Sequence, residues 1–240
     1  MAEFDSRFYR KERKRPFWTR TRKLILVGLK TRVWQARLLT APDPELPFTQ
    51  TSADGNKPSR LEVKLPAKKA DPYVSVIVLD LEAPAEIEPG ILQQPSGKIE
   101  LNAFMGQLHP SRSGRQIRLN PIGATENWFT RSNSISWSFT VSEPGTYRIE
   151  VGIVRGRRQA KWIGGHKLTL AINGKKTTRR IRAQAWRDTP RAQYFPEAIT
   201  RFGTVTFKQP GVYKAKLTAD EISPKNDEGV LLTSIELLPQ

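Results

Sequence analysis

From Lys23 onward, short apolar runs and period-two alternations follow one another, and no stretch sustains a helical period. The run Leu24-Ile25-Leu26-Val27 is closed by Gly28 and resumes over 33–39. Residues 61–65 alternate apolar and polar, and 74–81 form a run rich in β-branched residues. Four strands in this stretch predict a small sandwich, or half of one. The pattern returns over 99–103 and 116–120 and is clearest in 134–141, where Ile135, Trp137, Phe139 and Val141 share one face. Residues 146–154 place Tyr147, Ile149, Val151 and Ile153 in alternation. Strands over 167–172 and 176–183 flank the Asn173-Gly174 turn. Strands over 204–207, 212–217 and 231–238 complete the series. The phrases Glu143-Pro144-Gly145-Thr146-Tyr147 and Gln209-Pro210-Gly211-Val212-Tyr213 are near-copies and predict equivalent turn-to-strand corners within one module. The expected fold class is all-β, a small β-sandwich followed by a β jelly roll.

Residues 84–95 hold Pro84, Pro89, Gly90 and Pro95 and read as a stiff linker. The expected organisation is a basic irregular segment at 1–22, a sandwich at 23–83, the linker at 84–95 and a jelly roll at 96–240. No run of eighteen apolar residues is present, so no transmembrane helix is written in the sequence. No apolar core of a secretory signal precedes Leu24, which suits a cytoplasmic protein or an internal or C-terminal piece of a secreted one.

The formal charge of +17 favours polyanions as partners. Between Arg7 and Lys23 nine basic residues stand against Glu12 alone, and further basic clusters lie at 155–158 and 175–180. Cysteine is absent, which excludes disulfides, thiolate metal sites and cysteine nucleophiles. The two histidines, His109 and His166, have no ligand-spaced partner, so a histidine metal site or triad is not expected. Neither phosphate-binding glycine motif occurs, so no nucleotide cofactor is expected. No pair of carboxylates stands out as the acid and base of a glycosidase.

Leu24-Ile25-Leu26-Val27-Gly28-Leu29-Lys30-Thr31, the 33–39 strand, residues 61–66 and Val74-Ser75-Val76-Ile77-Val78-Leu79-Asp80 together resemble the C-terminal β-sandwich of family 29 α-L-fucosidases. Residues 99–103, Ile122-Gly123 with Asn127-Trp128, Ile135-Ser136-Trp137-Ser138-Phe139, the two Pro-Gly corners, Phe202-Gly203-Thr204-Val205 and 232–238 resemble the galactose-binding-like jelly roll often appended to it. The resemblance implies a carbohydrate-binding, non-catalytic region whose full-length parent carries a catalytic barrel before Leu24. The basic segment stands where that barrel would be, and a truncated reading frame would explain it together with the missing signal. Relatives of this kind are secreted or periplasmic. The implied partner is a fucosylated or galactosylated glycan, with sulfate as an added option.

Sugar sites set aromatic faces against C–H faces, with polar groups for the hydroxyls. Trp34, Trp137, Tyr147 and Tyr213 sit in strand patterns and are expected in the core. The candidates for carbohydrate are therefore Trp128 beside Asn127, Trp186 and Tyr194, with Trp162 in the basic loop as a further aromatic. Glu100 and Glu236, on the first and last jelly-roll strands, are candidates for a structural calcium of the kind such modules hold. Two other readings stand beside glycan binding: a polyanion binder working through the basic arm and the 155–158 loop, and a purely structural support.

Overall fold

The computed structural model describes residues 22–39, 45–54, 57–67, 75–156, 158–188 and 196–240. The basic segment before Arg22 lies outside them. Among the described residues there is no α-helix, and the chain is all-β. No helix is long and apolar enough to cross a membrane. The chain divides into two compact units, with the change after Ile87.

The first unit contains β1 (Lys23–Val27), β2 (Val33–Leu38), β3 (Phe48–Thr51), β4 (Arg60–Lys64) and β5 (Ile77–Leu81). Strands β1, β4 and β3 form one antiparallel sheet, and β2 pairs with β5. Leu29, Val33, Ala36, Leu38, Leu61 and Val63 are buried between them. Gly28 follows β1 at φ 88°, a left-handed conformation that few other residues tolerate. The Gln50 amide then satisfies the β1–β2 turn, accepting from Val33 N at 2.8 Å and donating to Thr31 O at 2.9 Å. Trp34 differs from the core position expected of it, being 60% exposed. The β2–β5 register shifts between Val33 and Gln35, so Trp34 occupies a bulge and turns away from the core.

The second unit is a two-sheet sandwich. Its strands are β6 (Ile91–Leu92), β7 (Ile99–Asn102), β8 (Gln107–His109), β9 (Arg118–Leu119), β10 (Thr125–Glu126), β11 (Ser134–Val141), β12 (Gly145–Ile153), β13 (Lys167–Ile172), β14 (Lys175–Arg180), β15 (Ala185–Arg187), β16 (Glu197–Phe207), β17 (Gly211–Glu221) and β18 (Leu232–Pro239). One sheet runs β14-β13-β17-β11-β6, with β8 also on β11; the other runs β15-β16-β12-β18-β7. Alternate residues of both sheets meet in one core that includes Trp137, Phe139, Ile149, Leu170, Phe202 and Leu217. Ile91 and Gln93 belong to this unit and not to a spacer: β6 pairs in parallel with β11, and Ile91 is buried.

Strand β16 is longer than the sequence pattern suggests because a bulge resets its phase. Ile149 faces Gly203 while Glu150 faces Arg201, leaving Phe202 as the extra residue, and Gly203 takes φ 96°. Phe202 and Val205 can thus both enter the core although three positions separate them.

The chain crosses between the sheets at the two Pro-Gly corners. One joins β11 to β12 and the other joins β16 to β17. The Tyr147 hydroxyl donates to Glu143 O at 2.5 Å, and the Tyr213 hydroxyl donates to Gln209 O at 2.8 Å. Both rings pack on Phe207, with centroids 5.6 and 4.6 Å away. Buried Gln93 donates to the Tyr147 hydroxyl at 2.6 Å and accepts from the backbone N–H groups of Ser142 and Glu143. Burial pushes the Tyr147 phenol above its ordinary pKa, so it remains a donor at neutral pH.

His166 is wholly buried. Its Nδ1 accepts from Ser223 N at 3.2 Å, and Nε2 lies 3.1 Å from the Asn226 amide. Burial lowers its pKa from 6.5 to about 4.

Tyr147→Phe is expected to destabilise the protein by about 1–3 kcal/mol, because Glu143 O and the Gln93 amide lose a buried partner. Tyr213→Phe removes an exposed bond and is expected to lower stability by less than about 1 kcal/mol. Urea unfolding of both variants tests the difference. A second expectation concerns pH. Between pH 6.5 and about 4 the unfolded chain protonates His166 while the folded chain does not. Stability from this residue is therefore complete above pH 6.5 and declines as pH falls through that window, by up to about 3 kcal/mol. Unfolding free energies at stepped pH should show a shallower slope there for His166→Gln than for the parent.

Candidate functional site

The four carbohydrate candidates part company in the structure. Trp128 is 0% exposed and packs in the sandwich core, so neither indole face is open to a sugar. Its loop is stitched to the segment before β18: Val230 N donates to Trp128 O, and Thr125 Oγ1 bridges Val230 O and Leu232 N. Gly229, at φ 77°, is required beneath it, since a Cβ there would lie 2.6 Å from Trp128 O. Asn127 supplies the left-handed turn, φ 59°, that sends Trp128 inward. Its asparagine identity is thus explained by backbone conformation. Tyr194 lies outside the described residues.

Trp186 alone of the four is described with an open surface, at 54% exposed. It occupies the middle of β15, opposite Ala198 of β16. Trp162 stands against it edge to face, centroids 5.8 Å apart at 79°. Trp162 is itself held: it packs on the core, its indole N–H donates to Ile153 O at 3.3 Å, and Gly164 passes so close that a Cβ would lie 2.5 Å from the ring. The pair therefore presents one exposed indole on a fixed second one, an arrangement suited to the apolar face of a ring.

Beside Trp186, Arg187 joins the two buried carboxylates of Glu197 and Glu236. Gly152 leaves the space for this pairing, because a Cβ there would be 3.0 Å from Glu197 Oε2 and 3.3 Å from Arg187 Nη2. Burial opposes the guanidinium charge, but Glu236 and Glu197 outweigh it and raise the pKa above the ordinary value. The strand after the candidate tryptophan is in this way locked to β16 and β18.

Glu100 and Glu236 are direct partners across the β7–β18 ladder, so the two calcium candidates do come together. What completes their surroundings is positive charge. Lys98 Nζ lies 2.7 Å from Glu236 and 3.3 Å from Glu100, and Arg187 takes the other Glu236 oxygen. Calcium needs about six to eight oxygens, and this pair offers two carboxylates already neutralised by cations. Among the described residues no group of three or more His, Cys, Asp or Glu could hold a metal ion. The residues present do not fit the ion.

Of the 155–158 loop, considered above for polyanions, the Arg155 guanidinium is engaged with neighbouring backbone, the Arg158 bond to Glu228 comes from its backbone N–H, and Arg157 lies outside the described residues. Arg155 donates to Gln159 O and Ala160 O, and Arg158 N donates to Glu228. The basic arm of that reading lies outside the described residues.

No family model and no curated protein matches the chain. Among solved structures it is similar to an α-L-fucosidase from Vibrio sp. strain EJY3, with a TM-score of 0.62 and 18% identity, over 91% of this chain and 36% of that one. Weaker likenesses include a Podospora anserina GH26-CBM35 β-(1,4)-mannanase, with TM-score 0.38, 14% identity and coverage of 60% and 28%. A family two carbohydrate esterase from Cellvibrio japonicus has TM-score 0.36, 13% identity and coverage of 60% and 34%. The first likeness extends through both units and is one of fold. The chain spans about a third of that fucosidase's length.

Arg187→Met is expected to destabilise the protein by about 3–5 kcal/mol, since it leaves Glu197 and Glu236 buried without their shared cation. Thermal unfolding at neutral pH measures this, and loss below 1 kcal/mol would contradict the pairing described.

Proposed function

We propose that the chain is a non-catalytic accessory region of an α-L-fucosidase-like glycoside hydrolase, and that its larger unit grips a glycan through Trp186 supported by Trp162. The observation that carries this reading is the exposed indole of Trp186, seated edge to face on a second, anchored tryptophan. An isolated exposed tryptophan would lose rotamer freedom on binding, whereas one already braced loses less. The fold likeness to an α-L-fucosidase, present in both units, supports the assignment of class. So does the resemblance of the strand order to the tail of that family. The proposed ligand is a neutral fucosylated glycan, stacked on Trp186 with its hydroxyls turned to polar groups around β15. In this reading the smaller unit serves as the sandwich that joins the larger one to the rest of an enzyme.

The test is titration calorimetry with neutral fucosylated oligosaccharides at low and at high salt. Binding that persists at high salt and falls about tenfold or more in Trp186→Ala, the equivalent of ~1.4 kcal/mol, supports the proposal. Binding unaffected by that substitution, or absent for every fucosylated and galactosylated ligand, would overturn it.

A further inference from the structure

The outer face of the six-stranded sheet carries a groove of about 840 Å³, on the opposite sheet from Trp186. Its floor is made by Ser136 and Ser138 of β11, Lys214 and Lys216 of β17 and Ala171 of β13. Met105 and His109 contribute to its walls. The strand register sets these side chains in rows. Lys176 stands opposite Ala171, Ala171 opposite Lys216, and Lys216 opposite Ser136. Lys214 stands opposite Ser138. Residues directly opposite share a face, and strands lie about 4.8 Å apart, so Lys176 and Lys216 rise roughly 10 Å from each other across the methyl of Ala171. Lys214 follows Lys216 on the same face at roughly 7 Å.

The charge of this groove is uncompensated. Lys176, Lys214 and Lys216 make no hydrogen bond or ion pair among the described residues, and all three are exposed. No carboxylate lines the groove. The acids near the other end of β17 are engaged: Asp220 accepts from Thr169 at 2.6 Å, and Glu221 is paired with Lys167 and Arg180. On the other sheet Lys98, Arg148 and Arg187 each meet a glutamate. Three like charges rooted within roughly 12 Å of one another repel, and an anion with matching spacing relieves that repulsion.

The remaining lining indicates which anion. Much of it is apolar, from Ile91, Met105 and Ala171, and among these surfaces the Ser136 and Ser138 hydroxyls, the Gln107 amide and the imidazole of His109, whose Nε2 lies 2.7 Å from Ser136 Oγ, are placed to meet sugar hydroxyls beside sugar C–H faces. No aromatic face is open in the groove: Trp137 is 3% exposed, with its indole N–H donated to Asn102 O. A single-stranded nucleic acid would find phosphate partners there but no platform for its bases. We infer that the groove binds a linear polysaccharide bearing sulfate or carboxylate groups, with Lys176, Lys214 and Lys216 meeting the anions and Ser136, Ser138 and Gln107 the hydroxyls. This site is separate from Trp186 and does not depend on it.

The experiment measures binding of the intact chain to dextran sulfate, polygalacturonate, uncharged dextran and poly(dT) across a salt series. Lys214→Ser/Lys216→Ser is compared with Lys208→Ser/Lys225→Ser, which removes the same charge from exposed positions outside the groove. Lys176→Ser probes the groove from its other side. The parent is expected to bind at least one charged polysaccharide and not dextran; which of the two it prefers assigns sulfate or carboxylate. The groove double variant should lower that affinity about tenfold or more. Its plot of log affinity against log salt should be shallower by roughly 1.5, as two lost ion contacts require. The Lys208/Lys225 variant should change the affinity less than about twofold. Equal losses in the groove and control double variants would overturn the inference in favour of diffuse charge. So would tighter binding of poly(dT) than of either charged polysaccharide, equal binding of dextran, or no binding of any charged polysaccharide at low salt.

Discussion

The sandwich turns between its sheets at two tyrosine corners, of which the buried Tyr147 hydroxyl, bonded to Glu143 O and Gln93, carries more stability than the exposed Tyr213 bond. Wherever the chain leaves one sheet for the other at a Pro-Gly corner, the tyrosine two residues past the glycine reaches back to a carbonyl four positions earlier. These hydrogen bonds close arches that carry β11 into β12 and β16 into β17. In the sheets, β11 pairs with β17 and β12 with β16, so each arch begins and ends beside the other. Phe139, Phe207 and the two tyrosine rings fill the space between them, with Phe139 and Phe207 5.9 Å apart, edge to face. A one-residue slip at either corner would turn every side chain of two central strands to the wrong face. The β11–β17 register that brings Lys216 opposite Ser136 joins strands that each adjoin one of these corners.

The two outer faces solve opposite electrostatic problems. On the five-stranded sheet, Glu100, Glu236 and Glu150 lie in one row across neighbouring strands. Carboxylates so close repel unless cations intervene, and Lys98, Arg187 and Arg148 supply them. On the six-stranded sheet the lysines of β14 and β17 have no such answer at the groove. The net charge of +17 is thus unevenly expressed: Lys98, Arg148 and Arg187 are absorbed into the architecture, whereas the groove lysines have no carboxylate partner among the described residues.

The hydrophobic alternation made much of this legible. Strands β11 and β13 have the bounds their period-two patterns predict, because each is paired on both sides and buries one face throughout. The paired corners were also readable, since Pro, Gly and Tyr recur at the same spacing. The bulges were not. Trp34 looked like a core residue and β16 looked short, because an extra residue in a strand breaks the phase on which the reading depends. Strands β6, β8 and β10 have two or three residues each and carry no period at all. At the site, a tryptophan in a loop gives no sign of whether it plugs a core or faces solvent. Trp128 does the first because Asn127 turns left-handed and Gly229 makes room, a combination separated by about a hundred positions in the chain. Glu100 and Glu236 were correctly brought together by being on the first and last strands, but the lysine and arginine between them are visible only in three dimensions. The basic groove was invisible for the same reason: its lysines come from β14 and β17, whose adjacency to one β13 is a matter of topology.

Trp186 and the lysine groove differ in how each meets the entropy of binding, and this sets what each can select. Trp186 has two side-chain torsions and is already braced by Trp162, so in its proposed role it would lose little rotamer freedom on meeting a sugar ring. Each groove lysine has a flexible four-carbon stem and loses up to about 2 kcal/mol of rotamer freedom when fixed. An exposed ion pair returns about 0.2–1 kcal/mol. One lysine meeting one anion therefore gains little or nothing. Net affinity at the groove requires a ligand whose anions engage several lysines together, so that the translational entropy of association is lost once and each further contact forms at high effective concentration. If the groove binds as proposed, it would prefer polymers over short oligosaccharides, whereas the proposed stacking on Trp186 would select for ring geometry. Under the two proposals, surfaces on opposite sheets of the sandwich would discriminate chain charge and sugar face independently.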